Sequence, residues 1–328
     1  MKIVMVGEAA NHRDTLAAAL PAACDFVALP REAAHSEEHD AAIAADDVLI
    51  TLRFSRPPGR MPAFRLLHVP GAGLDGIALD TLPPSATVCN VYEHEIPIAE
   101  YVLLAMLESE IRLAEMRRRF MTQSWSEAYR NRVQHGEIHG KTLGLIGMGR
   151  IARAIAQRAK AFGMRTIATD PQGGVVPGLI DDFAPPGELD RLLGQADFLV
   201  IACPLTETTR GMIGAAQLAK MKSSAVLINV SRAQIVDEDA LFAALRDHAI
   251  GGAVLDVWYR YPTAADDEVA PADHPFHELP NVICTPHSCA WTANLAVRRY
   301  GFIAQNIRRL MAGEPLLNVV RAPSAGRP

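Results

Sequence analysis

The stretch KTLGLIGMGRIARAIA places Gly147-Met148-Gly149-Arg150-Ile151-Ala152 between an apolar run and an amphipathic one. Glycine at the first position permits a tight turn, and glycine at the third lets a backbone approach a pyrophosphate. Ala152 is small enough for a helix to lie close on a strand, and the start of that helix offers free N–H groups and a positive dipole end. Asp170 ends the next apolar run, 23 residues after Gly147. A carboxylate there can accept hydrogen bonds from both hydroxyls of an adenosine ribose. No Lys or Arg follows in DPQGG to receive a 2′-phosphate, so the pattern reads as NAD rather than NADP. The glycine motif alone is weak, because glycines are common in turns. Its weight comes from the strand before it and the acid after it; the plain alternative is a structural turn with a strand-end acid.

Two side chains that could do chemistry follow later strand ends. LINVSRAQIVDEDAL presents Arg232 beyond an apolar run, and a guanidinium fork suits a substrate carboxylate. NVICTPHSCAWT ends its run in Thr285-Pro286-His287, and an imidazole at that edge is placed to give or take a proton. Asp256, closing AVLDV between them, could accept from a nicotinamide carboxamide. In CPLTETTRGMIG, Pro204 ends a strand and Thr206 and Thr209 offer hydroxyls near phosphates. As sequence, each of these also reads as an ordinary surface or loop residue; their common position after strand ends is what singles them out.

The elements that must position them are short β-branched runs alternating with helical patterns, which reads as parallel sheets with helical crossovers. A first set of strands is KIVMV, DFVAL, DVLIT, RLLHV and ATVCN. One long helix is expected from Ile96 to Phe120, followed by a polar stretch. A second set is TLGLIG, RTIATD, DFLVIAC, AVLINV, AVLDV and NVICTP, suited to a dinucleotide-binding sheet. A last helix is expected from Trp291 to Met311, with the tail RAPSAGRP frayed.

Composition narrows the class. The 328 residues are enough for two domains, 49% are hydrophobic, and 21% are charged with both signs present. A net charge of −5 argues against nucleic acid as an obligatory partner. No apolar run is long enough to span a membrane, and the opening MKIVMVGEAANHRD does not read as a signal peptide. Cys24, Cys89, Cys203, Cys284 and Cys289 show no paired spacing, so neither a disulfide framework nor a zinc knuckle is expected. HSEEH at 35–39 fits a zinc pattern by letter but has no obvious further ligand, and no metal is expected. These features suit a cytoplasmic protein.

Taken in order, PGAGLDGI (70–77), IAEYVLLAML (98–107), GKTLGLIGMGRIA (140–152), PLTETT (204–209), NVSRAQIVDEDAL (229–241) and LPNVICTPH (279–287) resemble the D-isomer-specific 2-hydroxyacid dehydrogenase family. The resemblance implies an α/β fold of two lobes, with a Rossmann-type NAD-binding domain (96–287) inserted into a flavodoxin-like substrate domain (1–95 and 288–328). It implies a homodimer acting on a small 2-hydroxyacid or 2-ketoacid. Carried over, Arg232 holds the substrate carboxylate, His287 is the general acid and base, and Ala72 and Gly73 in the Gly71–Gly73 loop supply backbone N–H groups. Cofactor contacts fall at Gly147, Met148, Gly149, Arg150 and Ile151, then at Asp170. Further contacts are expected at Cys203, Pro204 and Thr209, and at Val230, Asp256 and His287. The implied reaction is reduction of a ketoacid such as glyoxylate, hydroxypyruvate or a phosphorylated relative.

Two positions depart from the family. Relatives often carry Asn six residues before the Glu of the AE pair; here that position is His94, which could face substrate or cap the long helix. Relatives also read D-V-F-x-x-E-P, with the glutamate hydrogen-bonded to the histidine. Counting forward from Asp256 without a gap puts Tyr261 in that place, whereas matching EVAPADHPFHELPNV backward gives Glu268 after an insertion. The strand end favours Tyr261, and both remain open. A formate- or phosphite-type dehydrogenase tolerates loss of the glutamate but sits poorly with His94, and an NAD-sensing binding protein could keep both Arg232 and His287.

Overall fold

A computed structural model describes residues 1–262 and 268–323, and all structural statements here concern those residues. The chain divides into two compact units, Met1–His94 together with the stretch from Thr292 onward, and Glu95–Trp291. The later boundary falls after Trp291 rather than after His287, because Ser288 and Cys289 are hydrogen-bonded to Asp256 and stay with its unit.

In the first unit, five strands alternate with short helical turns and one short helix. They are β1 (Lys2–Val6), β2 (Asp25–Leu29), β3 (Val48–Ile50), β4 (Leu66–His68) and β5 (Thr87–Cys89), with α1 at Arg13–Ala18. They pair in parallel in the order β5-β4-β3-β1-β2, as βαβ-type connections require. Period-two alternation splits the strand residues between two cores. Ile3, Met5, Val48, Ile50 and Leu66 pack with Tyr300, Ile303 and Ile307 of the C-terminal helix Ala293–Ala312. Val4, Val6, Leu49, Leu67 and Val88 build the opposite face with Phe54 and Phe64.

A sixth strand, Val319–Arg321, pairs antiparallel with β5 and was not expected. Arg321, taken as the start of a frayed tail, belongs to it, and its guanidinium donates to Leu82 O at 3.3 Å. The signal is not in VVR itself. Buried Asn306 draws the chain back, donating to Leu317 O at 2.9 Å and accepting from Leu317 N at 2.8 Å. The tail from 324 to 328 lies outside the described residues.

The second unit opens with α2 (Glu95–Ile111), α3 (Leu113–Thr122) and α4 (Trp125–Arg130). The single helix expected over 96–120 is therefore broken. Arg112 takes a left-handed conformation (φ 54°), and the Glu108 carboxylate caps the new start by accepting from Leu113 N and Ala114 N, both at 3.2 Å. Then follow β6 (Thr142–Ile146), α5 (Arg150–Ala161), β7 (Arg165–Thr169), β8 (Asp182–Phe183), α6 (Leu189–Gln195) and β9 (Phe198–Ile201). The unit continues with α7 (Ala215–Leu218), β10 (Val226–Asn229), α8 (Glu238–Arg246), β11 (Gly252–Leu255) and β12 (Val282–Cys284).

The seven strands are parallel in the order β12-β11-β10-β9-β6-β7-β8, with the first strand flanked by β7 and β9. This is the doubly wound arrangement, and its strand order reverses at β6, where ligands bind beyond the carboxyl ends. β8 extends the expected six-strand sheet; its two residues are too few to leave a periodic signal. Leu143, Leu145, Val200, Ile228 and Val254 face α2 and α5, while Ile146, Leu199, Ile201, Leu227 and Leu255 form the other core.

Candidate active site

The turn after β6 shows why glycine is needed there. Gly147 has φ 103°, and a Cβ on it would lie 2.8 Å from Ala202 O, the residue following β9. Gly149 caps α5, and a Cβ there would meet nothing within 4 Å, so the turn leaves open space at the helix start. An open cradle lined by helix N–H groups fits a pyrophosphate. Asp170 closes the turn, accepting from Met148 N at 2.9 Å and Gln172 N at 2.8 Å. A cavity of about 550 Å³ beside it is bounded by Gly147, Asp170, Leu189, Cys203, Pro204 and Thr209, among others, a suitable size and lining for an adenosine.

The expected cofactor positions divide by exposure. Arg150 is exposed at the start of α5, and Ile151 behind it is half-buried. Met148 and Val230 are buried in the apolar core, so only their backbones are candidates for contact. Burial pushes the Cys203 thiol up to about 11, which keeps it protonated and unreactive. Thr209 is folded into its own loop, its hydroxyl donating to Pro204 O at 2.8 Å and accepting from Thr206 N at 2.7 Å.

On the same sheet edge, Arg232 stands three residues beyond β10 in extended conformation. Asn229, which ends the strand and is 2% exposed, holds the turn: its amide donates to Arg232 O at 3.0 Å and its oxygen accepts from Ser231 N at 3.1 Å. The guanidinium is braced by a bond from Nη1 to Ser231 O at 2.9 Å.

His287 lies beyond β12 with φ 56°, a left-handed conformation rare for a residue with a Cβ. The segment after β11 holds it there. Asp256 is fully buried; Oδ1 accepts from the Thr285 hydroxyl (2.5 Å) and Ser288 N (2.8 Å), and Oδ2 from Cys289 N (3.0 Å). Trp258 Nε1 donates to Thr285 O at 2.9 Å, and Tyr101 of α2 meets the Thr285 hydroxyl at 2.7 Å. Tyr261 OH lies 2.8 Å from His287 Nδ1. Glu268, the other candidate partner, is exposed, and 263–267 before it lie outside the described residues.

Asp256 is the residue expected to meet a nicotinamide carboxamide. Its carboxylate is turned inward, and both oxygens are spent on the loop that carries His287. Desolvation lowers the His287 pKa below the ordinary histidine value; Asp256 works against this and Arg232 adds to it. Asn229 and Tyr101 were not singled out from sequence as parts of this site. Asn229 alone left a signal, as a polar residue closing an apolar strand.

In the first unit, Ala72 and Gly73 form the turn after β4. Asn90, 3% exposed, donates to Ala72 O at 2.9 Å, and Val91 N donates to Gly71 O at 3.2 Å. His94 immediately precedes the first residue of α2 and stacks on Tyr92, with ring centroids 6.4 Å apart. The HSEEH stretch is occupied otherwise: His35 bonds the Ser55 hydroxyl at 2.8 Å, and Glu37 lies 3.6 Å from Arg60.

Residues 103–289 match the model of the D-isomer specific 2-hydroxyacid dehydrogenase NAD binding domain. The chain belongs to the D-isomer specific 2-hydroxyacid dehydrogenase family. Among curated members, it is 34% identical over 262 residues to the D-3-phosphoglycerate dehydrogenase of Methanocaldococcus jannaschii, covering 77% of this chain and 47% of that one. The chain therefore spans about half the length of that relative. It is 32% identical over 268 residues to the glyoxylate reductase of Korarchaeum cryptofilum, covering 79% and 76% of the two chains. A crystal structure of a family protein from Aeromonas salmonicida shares the fold, with a TM-score of 0.79, 24% identity and 98% of each chain covered.

Proposed function

We propose that this dehydrogenase-family chain is an NAD-dependent oxidoreductase interconverting a D-2-hydroxyacid and its 2-ketoacid, working as a ketoacid reductase of the glyoxylate/hydroxypyruvate or phosphoglycerate type. The observation that carries the reading is His287, held left-handed at the carboxyl edge of a dinucleotide-binding sheet by bonds to Thr285, Ser288 and Cys289 on either side of it. Backbone strain of this kind persists where the surroundings over-determine it, and it clusters at functional sites. NAD, when bound, supplies or takes up the hydride. His287 supplies the proton to the substrate oxygen or removes it, and Arg232 binds the substrate carboxylate through its fork. The Gly147–Gly149 turn and the start of α5 would hold the pyrophosphate, and Asp170 the ribose. Its acceptor-only carboxylate, with no basic residue in 171–175, supports NAD over NADP. Ala72 and Gly73 are proposed as substrate contacts by family membership, and His94 by its place where relatives often carry Asn, each tested by its own substitution.

The chain is further proposed to be a cytoplasmic homodimer. α3, α4 and the segment after them expose Leu113, Phe120, Met121, Trp125, Tyr129 and Val133, with the Trp125 ring against those of Phe120 and Tyr129, and grouped exposed apolar side chains suit a subunit contact. Among the described residues no helix is long and apolar enough to cross a membrane.

The test is NADH oxidation with glyoxylate, hydroxypyruvate, phosphohydroxypyruvate and phenylpyruvate, and NAD reduction with formate and phosphite. Turnover of a ketoacid that is lost in Arg232→Ala supports the reading. Turnover of formate or phosphite alone, or tight NADH binding with no turnover, overturns it.

A further inference from the structure

Two groups meet at the phenol oxygen of Tyr261. Trp258 N donates to it at 3.1 Å, and His287 Nδ1 lies 2.8 Å away. A phenol has one proton to give. The Trp258 N–H takes one accepting side of the oxygen and leaves the hydroxyl proton able to point at Nδ1; a neutral imidazole that accepts at Nδ1 carries its own proton on Nε2.

We propose that Tyr261 is a positioning residue that fixes neutral His287 as the Nε2–H tautomer, presenting an N–H rather than a lone pair at Nε2, which among the described residues has no hydrogen-bond partner. A carboxylate in the same place, which can only accept, would select the opposite tautomer. The proposal deepens the reading above and rests on it for the use made of Nε2, though not for the tautomer itself.

Three further observations support the assignment. The backbone on both sides of the ring is tied down through Asp256 and Trp258, which holds the position from which the ring reaches Tyr261. The two rings lie 5.4 Å apart at 53°, so the phenol meets the imidazole at its edge. Burial raises the Tyr261 pKa, opposed by the Trp258 N–H and by Arg232, and the phenol stays a neutral donor near pH 7. When His287 takes a second proton, the new Nδ1–H must donate to Tyr261, and the phenol proton has to swing away. Tyr261 permits the imidazolium without providing it a counter-ion.

The experiment is two-bond ¹H–¹⁵N correlation on the full chain labelled with ¹⁵N-histidine, with the His287 signals identified by their loss in His287→Gln. In the neutral ring, Nδ1 is expected at the unprotonated, pyridine-like position and Nε2 at the protonated, pyrrole-like one. Tyr261→Phe should move both toward the averaged position. Tyr261→Glu should exchange them and let the ring titrate at higher pH, with Asp256 and Arg232, the charged groups acting on the ring within this unit, unchanged. A wild-type ring protonated on Nδ1 overturns the proposal, as does an unaltered spectrum in Tyr261→Phe. A change in Glu268→Gln with none in Tyr261→Phe overturns it in favour of Glu268. An Nε2–H ring in a protein that reduces no ketoacid leaves the proposal standing and removes the functional reading instead.

Discussion

Asp256→Asn separates a residue that holds the catalytic loop from one that touches the cofactor. The carboxylate has three donors to satisfy, the Thr285 hydroxyl and Ser288 N at Oδ1 and Cys289 N at Oδ2. An asparagine can keep the first two through its oxygen, but its amide N–H groups must then face the Cys289 N–H. Orphaning one buried donor costs about 1–3 kcal/mol, and the retained bonds lose their charge assistance. Taking about 2–3 kcal/mol as the bias lost from the loop, the fraction with His287 in place falls at most about 30- to 150-fold, since about 1.4 kcal/mol is a factor of ten. Steady-state ketoacid reduction should show that fall in kcat, while NADH affinity, read by fluorescence titration, stays within about twofold. The Asp256 charge also supports the protonated form of His287, and its removal should move the high-pH limb of the reduction profile to lower pH. If NADH affinity drops in step with kcat, the carboxyl group contacts the cofactor, and the loop-holding argument fails.

Four other substitutions test three separate parts of the structure. Gly149→Ala has open space for its methyl group and should leave the melting temperature unchanged while weakening NADH binding by about tenfold or more. Gly147→Ala, at φ 103° and 2.8 Å from Ala202 O, should destabilise the fold itself in thermal melts; equal melting of the two variants refutes the distinction. His68 is fully buried, accepts from Asn306 at Nε2, and has its pKa lowered by desolvation from 6.5 to about 4. Between those values the unfolded chain binds the proton and the fold does not. Stability is therefore full above about pH 6.5, and about 3 kcal/mol is lost as pH falls toward 4. His68→Gln should flatten urea midpoints over that range, and an unchanged slope would show that His68 does not set it. Trp125→Asp, on the exposed apolar face of α4, should yield a monomer in sedimentation equilibrium, and a persistent dimer would place the interface elsewhere.

The sheet that carries the cofactor turn was legible because each of its signals is local. Gly147, Gly149, Ala152 and Asp170 lie within one strand–helix–strand unit, and the reasons for each are steric. The elements that were missed depend on contacts distant in sequence or on single backbone angles. The strand Val319–Arg321 exists because Asn306 draws Leu317 in, and no pattern in VVR announces it. The break at Arg112 interrupts a run whose apolar spacing continues through it. It is visible only as φ 54° and as the Glu108 carboxylate reaching forward to cap α3.

The segment AVLDVWYRYP shows the same limit at the site itself. In sequence, Asp256 closes an apolar run, Tyr261 is reached only by counting forward from it, and nothing links Trp258 between them to either. In the fold they reach the Thr285 hydroxyl and carbonyl, the His287 ring and the next two backbone N–H groups. A left-handed histidine costs on the order of 1–2 kcal/mol, less than a few buried hydrogen bonds of about 1 kcal/mol each return. Several anchors from one segment are therefore enough to hold His287 in a conformation that it would not keep alone. Asp256, Trp258 and Tyr261 therefore bear on the same histidine, two through its backbone and one through its ring. Double-mutant cycles between Asp256→Asn and Tyr261→Phe should show it directly: the combined loss in kcat should be well short of the product of the single losses, because the second variant removes a restraint on a loop already released. Multiplicative losses would mean that the two residues act on His287 independently.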